Sequence, residues 1–188
     1  VNTAEFAQRL TALRNKSLVD YSGVHRVKLE ILMLMFRHFT ESNDPADRQR
    51  FDNFVHDGDQ ALQVFAMHQA SLFVRTDSVL GAANFHLYLQ WLAHEQLANC
   101  QQAALAAGMS LGLIRDLAVG SSGDGCEVTT NYSLFCTQAR IGAPPDNFNP
   151  EGQNWGLPPM LPAMMQQTRF AHFIALIRNN MQSCGALR

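Results

Sequence analysis

The feature that most restricts the fold is a long stretch of sequence with almost no charge. Between Ser78 and Ile114 the chain carries a single charged side chain, Glu95. A helix that is nearly uncharged all round is usually buried on several sides. We expect Gly108 to end this helix and residues 111–119 to form a buried strand. A helix, a short glycine turn and an apolar strand together predict one half of a parallel β/α unit.

The first 76 residues predict an all-helical subdomain. Apolar residues recur at helical spacing, and capping residues and glycines divide the region into four helices. Asn2 is the predicted cap of a first helix from Thr3, and an apolar repeat from about Ser22 to Phe39 predicts a second helix. Asp44 with Pro45 predicts the start of a third helix. Gly58 with Asp59 precedes a fourth helix that reaches about Phe73. We therefore divide the chain into residues 1–76 and residues 77–188.

The region after the predicted strand is rich in proline. Six of the seven prolines fall between Pro144 and Pro162, and a helix interior accepts none of them. Residues 120–160 therefore predict a long structured loop, and loops of this length in compact domains are usually functional. A final amphipathic helix follows, with Gly185 as its C-cap and residues 186–188 as the start of another strand. Its apolar face contains Phe170, Phe173, Ile174, Ile177 and Met181.

This order of elements does not close a sheet. One strand, a loop, a helix and the start of a second strand leave edges unpaired, and parallel sheets are normally covered on both faces. Charged residues make up only 16% of the chain, against about 25% in a typical soluble protein. The expected fold class is mainly α, a helical subdomain followed by a partial (β/α) barrel segment, so the chain is interpreted as a fragment of a larger barrel.

Charge and composition argue against several classes of function. The formal net charge is −2 and no basic run occurs, which makes nucleic acid a poor candidate partner. No stretch approaches the roughly 18 consecutive apolar residues that a membrane helix requires. The four cysteines form no C-x-x-C pair and the seven histidines no H-x-x-x-H pair. We therefore expect reduced thiols in a cytoplasmic protein and no metal site.

Polar side chains follow the predicted strand, where β/α barrels place their active sites. Asp116 lies near the C-terminal end of that strand. Carboxylates and amides can bind vicinal hydroxyls, and a tryptophan can stack on a sugar ring, so the set suits a carbohydrate site. Paired carboxylates also suit glycosidic-bond chemistry. The loop residues of the set are Asp124, Glu127, Asp146, Glu151, Gln153, Asn154 and Trp155.

Each of these residues also has a purely structural interpretation. Asp116 can cap a turn at the strand end, and Asp146, after two prolines, has the place of an ordinary turn residue. Trp155, between an asparagine and a glycine, can anchor the loop by packing its ring into the core. Taken singly, each residue favours the structural interpretation over a sugar site.

The order of the residues is more specific than the residues themselves. Gly142-Ala-Pro-Pro-Asp146 followed by Gly152-Gln-Asn-Trp-Gly-Leu-Pro-Pro159 resembles the substrate-covering loop of the 4-α-glucanotransferases, the amylomaltases of glycoside hydrolase family 77. The resemblance extends over nearly the whole chain. The other matching stretches are residues 19–22, Lys28, residues 85–93, residues 115–120 and residues 180–188.

The resemblance implies an α-amylase-type TIM barrel with helical insertions and a 4-α-glucanotransferase activity. Such an enzyme moves a segment of an α-1,4-glucan from one maltooligosaccharide to another by a retaining double displacement. It needs no cofactor. Its partners would be α-1,4-glucans, and neither nucleic acid nor a membrane.

Five residues match positions of the family's substrate site. Asp116 matches a strand-end aspartate, and Arg188 matches the arginine that begins an Arg-Ile-Asp-His motif. The substrate-covering loop contributes Asp146, Gln153 and Trp155. The family's nucleophile is the aspartate two places after that arginine, and its acid/base glutamate and stabilising aspartate lie further on. The resemblance therefore implies substrate-binding residues, no catalytic residue and no activity of this chain by itself.

Two other interpretations stay open. The chain can be a non-catalytic helical module that binds glucan or a protein partner, with its low surface charge marking an interaction surface. It can also self-associate through an uncovered strand edge or apolar faces. For the separate chain we expect weak or no maltooligosaccharide binding, since a site built from several strands has lost most of its walls. We also expect the loop of residues 120–159 to be partly mobile.

Overall fold

The computed structural model describes residues 3–42, 44–73 and 79–188, with side chains from residue 83 onward in the last range. In these residues the protein is mainly helical, with eight α-helices, one short 3₁₀ helix and two small two-stranded sheets. It divides into two compact units, residues 1–57 and residues 58–188. The boundary between the units precedes the fourth helix, and the division at residues 76 and 77 stays a prediction.

The first unit contains three helices: α1 (Ala4–Arg14), α2 (Tyr21–Glu41) and α3 (Pro45–Asp57). Thr3 caps α1, because its Oγ1 accepts a hydrogen bond from the Phe6 amide at 3.2 Å. Asn2, the predicted cap, lies outside the described residues. The predicted helix start is therefore one residue too early, since both residue types make good caps.

The starts of α2 and α3 follow from their aspartate caps. The Asp20 Oδ1 accepts a hydrogen bond from the Gly23 amide at 2.8 Å. The Asp44 Oδ1 accepts one from the Ala46 amide at 2.9 Å, which confirms the predicted start of α3. The apolar core of this unit contains Phe6, Val27, Phe39 and Phe51.

The second unit begins with a pair of helices, α4 (Gln60–Ser71) and α5 (Val79–Ala106), which pack along each other. Asp59 caps α4 as predicted, accepting from the Leu62 amide at 3.2 Å. From residue 99 to 106 most side chains of α5 are exposed, so the predicted burial is confirmed for the first part of the helix only. The buried side chains of the pair include Ala66, Ala70, Phe85, Leu87, Tyr88 and Trp91.

Gly108 ends the turn that follows α5, as predicted. Its φ of 89° lies in the left-handed region, which glycine enters without a Cβ penalty. The Gly108 amide donates to the Leu105 carbonyl at 3.0 Å, and the Met109 amide donates to the Ala104 carbonyl at 3.1 Å. These two bonds are those of a Schellman motif, and they satisfy carbonyls that the helix end leaves without partners.

The predicted strand of residues 111–119 is much shorter in the structure. β1 (Ile114–Arg115) pairs in parallel with β4 (Ala186–Leu187). Gly112 has a φ of 67°, and this left-handed conformation turns the chain before the extended segment begins. The length prediction is wrong because apolar composition did not reveal this turn.

A glutamine side chain takes the place of a neighbouring strand at the start of β1. Gln101 of α5 accepts a hydrogen bond from the Leu113 amide at 2.6 Å and donates one to the Leu111 carbonyl at 3.1 Å. This pair of bonds satisfies backbone groups that a longer strand would offer to a sheet partner.

β1 is covered on one face only. Leu113, Arg115 and Leu117 are half-buried, whereas Ile114 is 63% exposed. The Arg115 guanidinium donates to the Asn180 carbonyl at 3.1 Å, which places the helix Ala171–Met181, to which Asn180 belongs, over the half-buried face. The prediction of a buried strand is therefore wrong for the other face.

The predicted loop of residues 120–160 is structured. It holds α6 (Cys126–Thr130), a 3₁₀ helix (Tyr132–Leu134), β2 (Gly142–Ala143) and β3 (Gln153–Asn154). Val128 is fully buried and Phe135 nearly so, and Phe135 pairs with Met160 in an antiparallel bridge. The bridge joins the middle of the loop to its C-terminal end. Its mobility stays a prediction.

The final helical region consists of α7 (Pro162–Gln167) and α8 (Ala171–Met181). Phe170 precedes α8 with a φ of 58°, so it does not belong to the predicted apolar face. That face is partly open, because Ile174 and Met181 are exposed.

Gly185 has a different role from the one predicted. Helix α8 ends at Met181, with Gln182 as its C-cap, so Gly185 does not cap it. A Cβ at position 185 would lie 1.8 Å from the Leu111 carbonyl oxygen. The glycine therefore allows the backbone before β4 to approach the backbone before β1.

Candidate functional site

Three of the five predicted site residues belong to a hairpin made of β2 and β3. The strands are antiparallel, with Gly142 opposite Asn154 and Ala143 opposite Gln153. A Cβ at position 142 would lie 1.9 Å from the Gln153 carbonyl oxygen, so only glycine permits this pairing. Gly152 has a φ of 75°, a conformation that favours glycine. The glycines of the loop motif therefore shape the hairpin backbone.

Asp146 forms the turn of this hairpin. Its Oδ1 accepts hydrogen bonds from the Phe148 amide at 2.8 Å and the Asn149 amide at 2.7 Å. This is the turn role that the sequence left open. The residue is also exposed, so its carboxylate lies at the surface, and its contact with a sugar stays a prediction.

Gln153 and Trp155 contact each other directly. The Trp155 Nε1 donates to the Gln153 Oε1 at 3.0 Å, and the Trp155 amide donates to the Ile141 carbonyl at 2.9 Å. The indole is 43% exposed, so it is not a plug buried in the core. A ring held by its N–H and open to solvent is suited to stacking against a ligand that has an apolar face.

Asp116 and Arg188 form the second part of the candidate site. The Arg188 Nη2 donates to the Asp116 Oδ2 at 2.6 Å. Because β1 and β4 are parallel, their carboxyl ends meet at the same edge and bring the two residues together. Both side chains are largely exposed, and an ion pair in that setting contributes at most about 1 kcal/mol to stability.

The base of the hairpin packs against Gly120, which follows the end of β1 by five residues. A Cβ on Gly120 would lie 3.2 Å from the Ile141 Cδ1 and 3.5 Å from the Leu157 Cβ, so the chain just past Asp116 packs against the base of the hairpin. Within the described residues, no recorded hydrogen bond or ion pair joins the Trp155 pair to the Asp116 pair. The structure thus forms two separate hydrogen-bonded pairs of site residues, with Asp146 at the turn of the hairpin.

This combination of hairpin motif and strand-end residues has counterparts in known proteins. The family model described as 4-alpha-glucanotransferase, glycoside hydrolase family 77, matches residues 1–78 and 75–188. The chain belongs to the 4-alpha-glucanotransferase family. The resemblance that the loop motif indicated is thereby confirmed.

Individual 4-alpha-glucanotransferases match over long stretches. The chain is 35% identical over 214 residues to the protein of Haemophilus influenzae, an alignment that covers 96% of this chain and 31% of that protein. It is 41% identical over 112 residues to the protein of Mycobacterium tuberculosis strain H37Rv, covering 60% of this chain and 16% of that protein. The chain therefore spans about a third or less of the length of these relatives.

Two solved amylomaltases have a similar fold. The amylomaltase from Corynebacterium glutamicum superposes with a TM-score of 0.77 and 31% identity, covering 88% of this chain and 24% of that one. The amylomaltase from Streptococcus agalactiae in complex with acarbose gives a TM-score of 0.75 at 19% identity, covering 97% and 45%. At that identity the second likeness concerns the fold alone.

A half-buried hydrogen bond between two side chains anchors the loop that carries the hairpin. The His172 Nε2 lies 2.8 Å from the Glu127 Oε1, and the Ser121 hydroxyl donates to the other oxygen of that carboxylate. The His172 ring also meets Phe135 edge to face. The pair ties α6 to α8. Glu127 was a candidate from sequence, but His172, 45 residues away, carries no local signal that would have found it.

The remaining loop carboxylates do not form a second cluster. The Ser122 hydroxyl donates to Asp124 and holds the pKa of that carboxyl below its usual range, so Asp124 is an ionised surface group. In the part of the chain that is described, no three His, Cys, Asp or Glu side chains are placed to share a metal ion. No described helix has the length and apolar character needed to span a bilayer.

Proposed function

We propose that this chain forms part of a 4-alpha-glucanotransferase that transfers α-1,4-glucan segments between maltooligosaccharides by a retaining double displacement. The observation that carries the proposal is the match of the family model over residues 1–78 and 75–188. The names of the relatives and the amylomaltase solved with acarbose support glucans as the substrate class.

For the whole enzyme we propose an α-amylase-type (β/α) barrel. Residues 1–76 form its helical subdomain, and residues 77–188 a partial barrel segment with the substrate-covering loop at 120–160. The parallel pairing of β1 and β4 supports this, since parallel neighbours need a long crossover connection and α6 to α8 lie between these strands.

The site residues have distinct roles in this proposal. Trp155 stacks on a glucose ring, while Gln153 and Asp146 hydrogen-bond its hydroxyls. Asp116 and Arg188 line the carboxyl ends of the strands, where a barrel holds its substrate. The resemblance to the family implies that the nucleophile and the acid/base residue lie outside these 188 residues and that no cofactor takes part. The chain by itself is therefore inactive.

A chimera tests this function. The segment of the Haemophilus influenzae enzyme that aligns with residues 79–188 is replaced by those residues, and disproportionation of maltotriose is measured. The chimera should remain active, and Trp155→Ala within it should raise KM several-fold more than the matched Trp155→Phe, which keeps a flat ring. A folded but inactive chimera would contradict the proposal.

The separate chain provides a simpler test. Purified and incubated with maltotriose, it should release no glucose and form no longer glucans, while the Haemophilus influenzae enzyme serves as the positive control. Transfer above the level of a heat-treated sample would show that the chain carries its own catalytic groups.

A second candidate is a non-catalytic glucan-binding module, which the exposed rings of Trp155 and Phe148 favour. We expect weak or no binding, since most walls of the site are contributed by other strands. Intrinsic fluorescence on titration with maltooligosaccharides decides this, with Trp155→Phe as the control that leaves Trp91 unchanged. A saturable signal at sub-millimolar sugar that the control abolishes would favour the module.

The remaining expectations concern location and self-association. All four cysteines lie in the described part of the chain as free thiols, which supports the cytoplasm as the location. Neither nucleic acid nor a membrane is an expected partner. The exposed Ile114 on the short strand β1 supports self-association of the separate chain. Light scattering should therefore detect a dimer or larger species, and a clean monomer would contradict this.

A further inference from the structure

The hairpin that carries Trp155 continues into a longer antiparallel ribbon. The Trp155 amide donates to the Ile141 carbonyl at 2.9 Å, just outside the paired strands β2 and β3. At the other end of the ribbon, Phe135 pairs with Met160 in an antiparallel bridge. Backbone hydrogen bonds therefore connect the strand that bears the indole to the bridge at the root of the ribbon.

Three hydrogen-bonded side chains lie at this root. The His172 ring of α8 meets Phe135 edge to face, with ring centroids 6.2 Å apart, and the His172 Nε2 lies 2.8 Å from the Glu127 Oε1. The Ser121 hydroxyl donates to the other oxygen of the same carboxylate. We call Ser121, Glu127 and His172 the root cluster, since they join the start of the loop, α6 and α8 at the base of the ribbon.

The root cluster is shielded enough from water for its hydrogen bonds to restrict the structure. The side chains of Glu127 and His172 are 20% and 22% exposed, and Val128, next to Glu127, is fully buried. Hydrogen bonds to a carboxylate are stronger than those between neutral groups, and removing one partner leaves the other desolvated without a bond. The cluster therefore favours one arrangement of α6 against α8.

The far end of the ribbon lies mostly in solvent. Phe148, near the turn, is almost fully exposed, and the Trp155 ring is open to solvent on part of its surface. Packing at the tip therefore holds the hairpin weakly, whereas a paired backbone transmits a displacement of its root as a unit. The position of the indole thus depends on contacts at the root.

We propose that His172 and Glu127 are positioning residues for the substrate-covering loop. Their hydrogen bond sets where the Trp155 ring lies, and with it how tightly the enzyme holds a glucose ring. Both residues act through the ribbon and not by contact with the sugar. The part of the proposal that concerns the sugar rests on the proposed function, whereas the position of the ring is a property of this chain alone.

Quenching of Trp155 fluorescence by acrylamide tests the proposal in the chain as it is. His172→Phe keeps a ring against Phe135 and removes the hydrogen bond to Glu127, whereas His172→Gln keeps a donor near the position of Nε2. The same variants with Trp155→Phe give the background of the buried Trp91. His172→Phe should raise the quenching constant of Trp155 roughly twofold, because local opening uncovers a ring that is 43% exposed. His172→Gln should leave that constant close to its original value.

The control is Arg178→Ala, at an exposed site on the same helix, which should not change the quenching. Far-UV circular dichroism shows whether each variant is folded. Equal quenching in His172→Phe and His172→Gln would overturn the proposal, because the hydrogen bond would then not decide the position of the ring. If His172→Phe does not fold, Ser121→Ala takes its place, since it removes one hydrogen bond from Glu127. It should raise the quenching by a smaller factor, and unchanged quenching would overturn the proposal.

The consequence for the substrate is measured in the chimera that carries residues 79–188. His172→Phe should raise KM for maltotriose several-fold and leave kcat nearly unchanged, as the loss of uniform substrate binding does. His172→Gln should keep the original KM. An active chimera in which both variants have the same KM would overturn the proposal. An inactive chimera would contradict the proposed function instead, and the quenching of Trp155 would still decide whether the root cluster positions the ring.

Discussion

Helix α5 and the segment of residues 111–119 are both apolar, and they reach different degrees of burial. Phe85 and Trp91 of α5 are each 4% exposed, whereas Ile114 of β1 lies mostly in solvent. The two segments follow each other in the chain, and their apolar composition predicts burial for both. The difference between them is in the partners that each requires.

A helix satisfies its backbone hydrogen bonds within its own segment, so α5 needs only an apolar neighbour, and α4 supplies one. A strand of a parallel sheet needs partners on both edges and a layer on each face. β1 has β4 on one edge and a glutamine side chain at its start. An apolar sequence therefore favours burial, and the number of neighbouring elements that pack against the segment decides how much of it is buried.

The largest effect is expected from truncating a buried ring of α5. Phe85→Ala should lower the free energy of unfolding by about 3–5 kcal/mol, since it leaves a cavity in the core. Phe148→Ala is the matched control at a site that is 92% exposed, and it should change that free energy by less than about 0.5 kcal/mol. Urea unfolding followed by far-UV circular dichroism measures both. Equal losses would mean that the burial of Phe85 in α5 contributes nothing to stability.

The second-largest loss of stability is expected where the backbone before β4 lies close to the backbone before β1. Gly185→Ala places a methyl group against the Leu111 carbonyl oxygen and should cost about 1–3 kcal/mol, as overpacking does. Gly123→Ala is the control, because its Cβ would meet its nearest neighbour at 3.9 Å. Amide exchange of Leu117 and Arg188, which bond across the two strands, should accelerate in the first variant only. Unchanged exchange would mean that the ladder does not depend on this glycine.

A smaller effect is expected at the side chain that substitutes for a strand. Gln101→Ala removes both hydrogen bonds to the backbone before β1 and should lower the free energy of unfolding by about 1–2 kcal/mol. Gln102→Ala, its exposed neighbour on the same helix, should have almost no effect. If the two variants unfold alike, the glutamine does not support β1.

The smallest effect is a pH dependence that originates in α5. Burial lowers the pKa of His86, so the folded pKa lies below the unfolded value of about 6.5. As the pH falls, the unfolded state takes up its proton first. The stability that neutral His86 contributes is therefore fully present above about pH 6.5 and is lost as the pH falls below that value.

The urea midpoint should accordingly be lower at pH 5 than at pH 7.5, and His86→Phe should reduce the difference. His56→Phe, at an exposed site in α3, is the control and should leave the difference unchanged. A pH profile that His86→Phe does not alter would assign the dependence to other groups.

Local sequence signals predicted the helices well. Asp44, Asp59 and Gly108 act at the helix ends where their residue types are typical. The family resemblance came from the loop motif, whose glycines the hairpin requires at close approaches and at positive φ. Such signals work because a cap or a tight turn is decided by a few consecutive residues.

The candidate site was predictable only in part. Asp116, Arg188 and the three hairpin residues were named from the sequence, yet the two hydrogen-bonded pairs within this set depend on strand pairing and on the hairpin register. The anchor between Glu127 and His172 was not predicted, because its partners lie on different elements.

The sequence by itself determined the family, the helices with their caps and the hairpin motif, since each depends on residues that are neighbours in the chain. The tertiary structure alone decided that β1 is short, that one of its faces is open and that Gly185 spaces two strands. Those features depend on contacts between residues far apart in sequence, such as Gly185 with Leu111. A local sequence pattern does not indicate such contacts, because the same apolar segment can pack against one neighbouring element or against several.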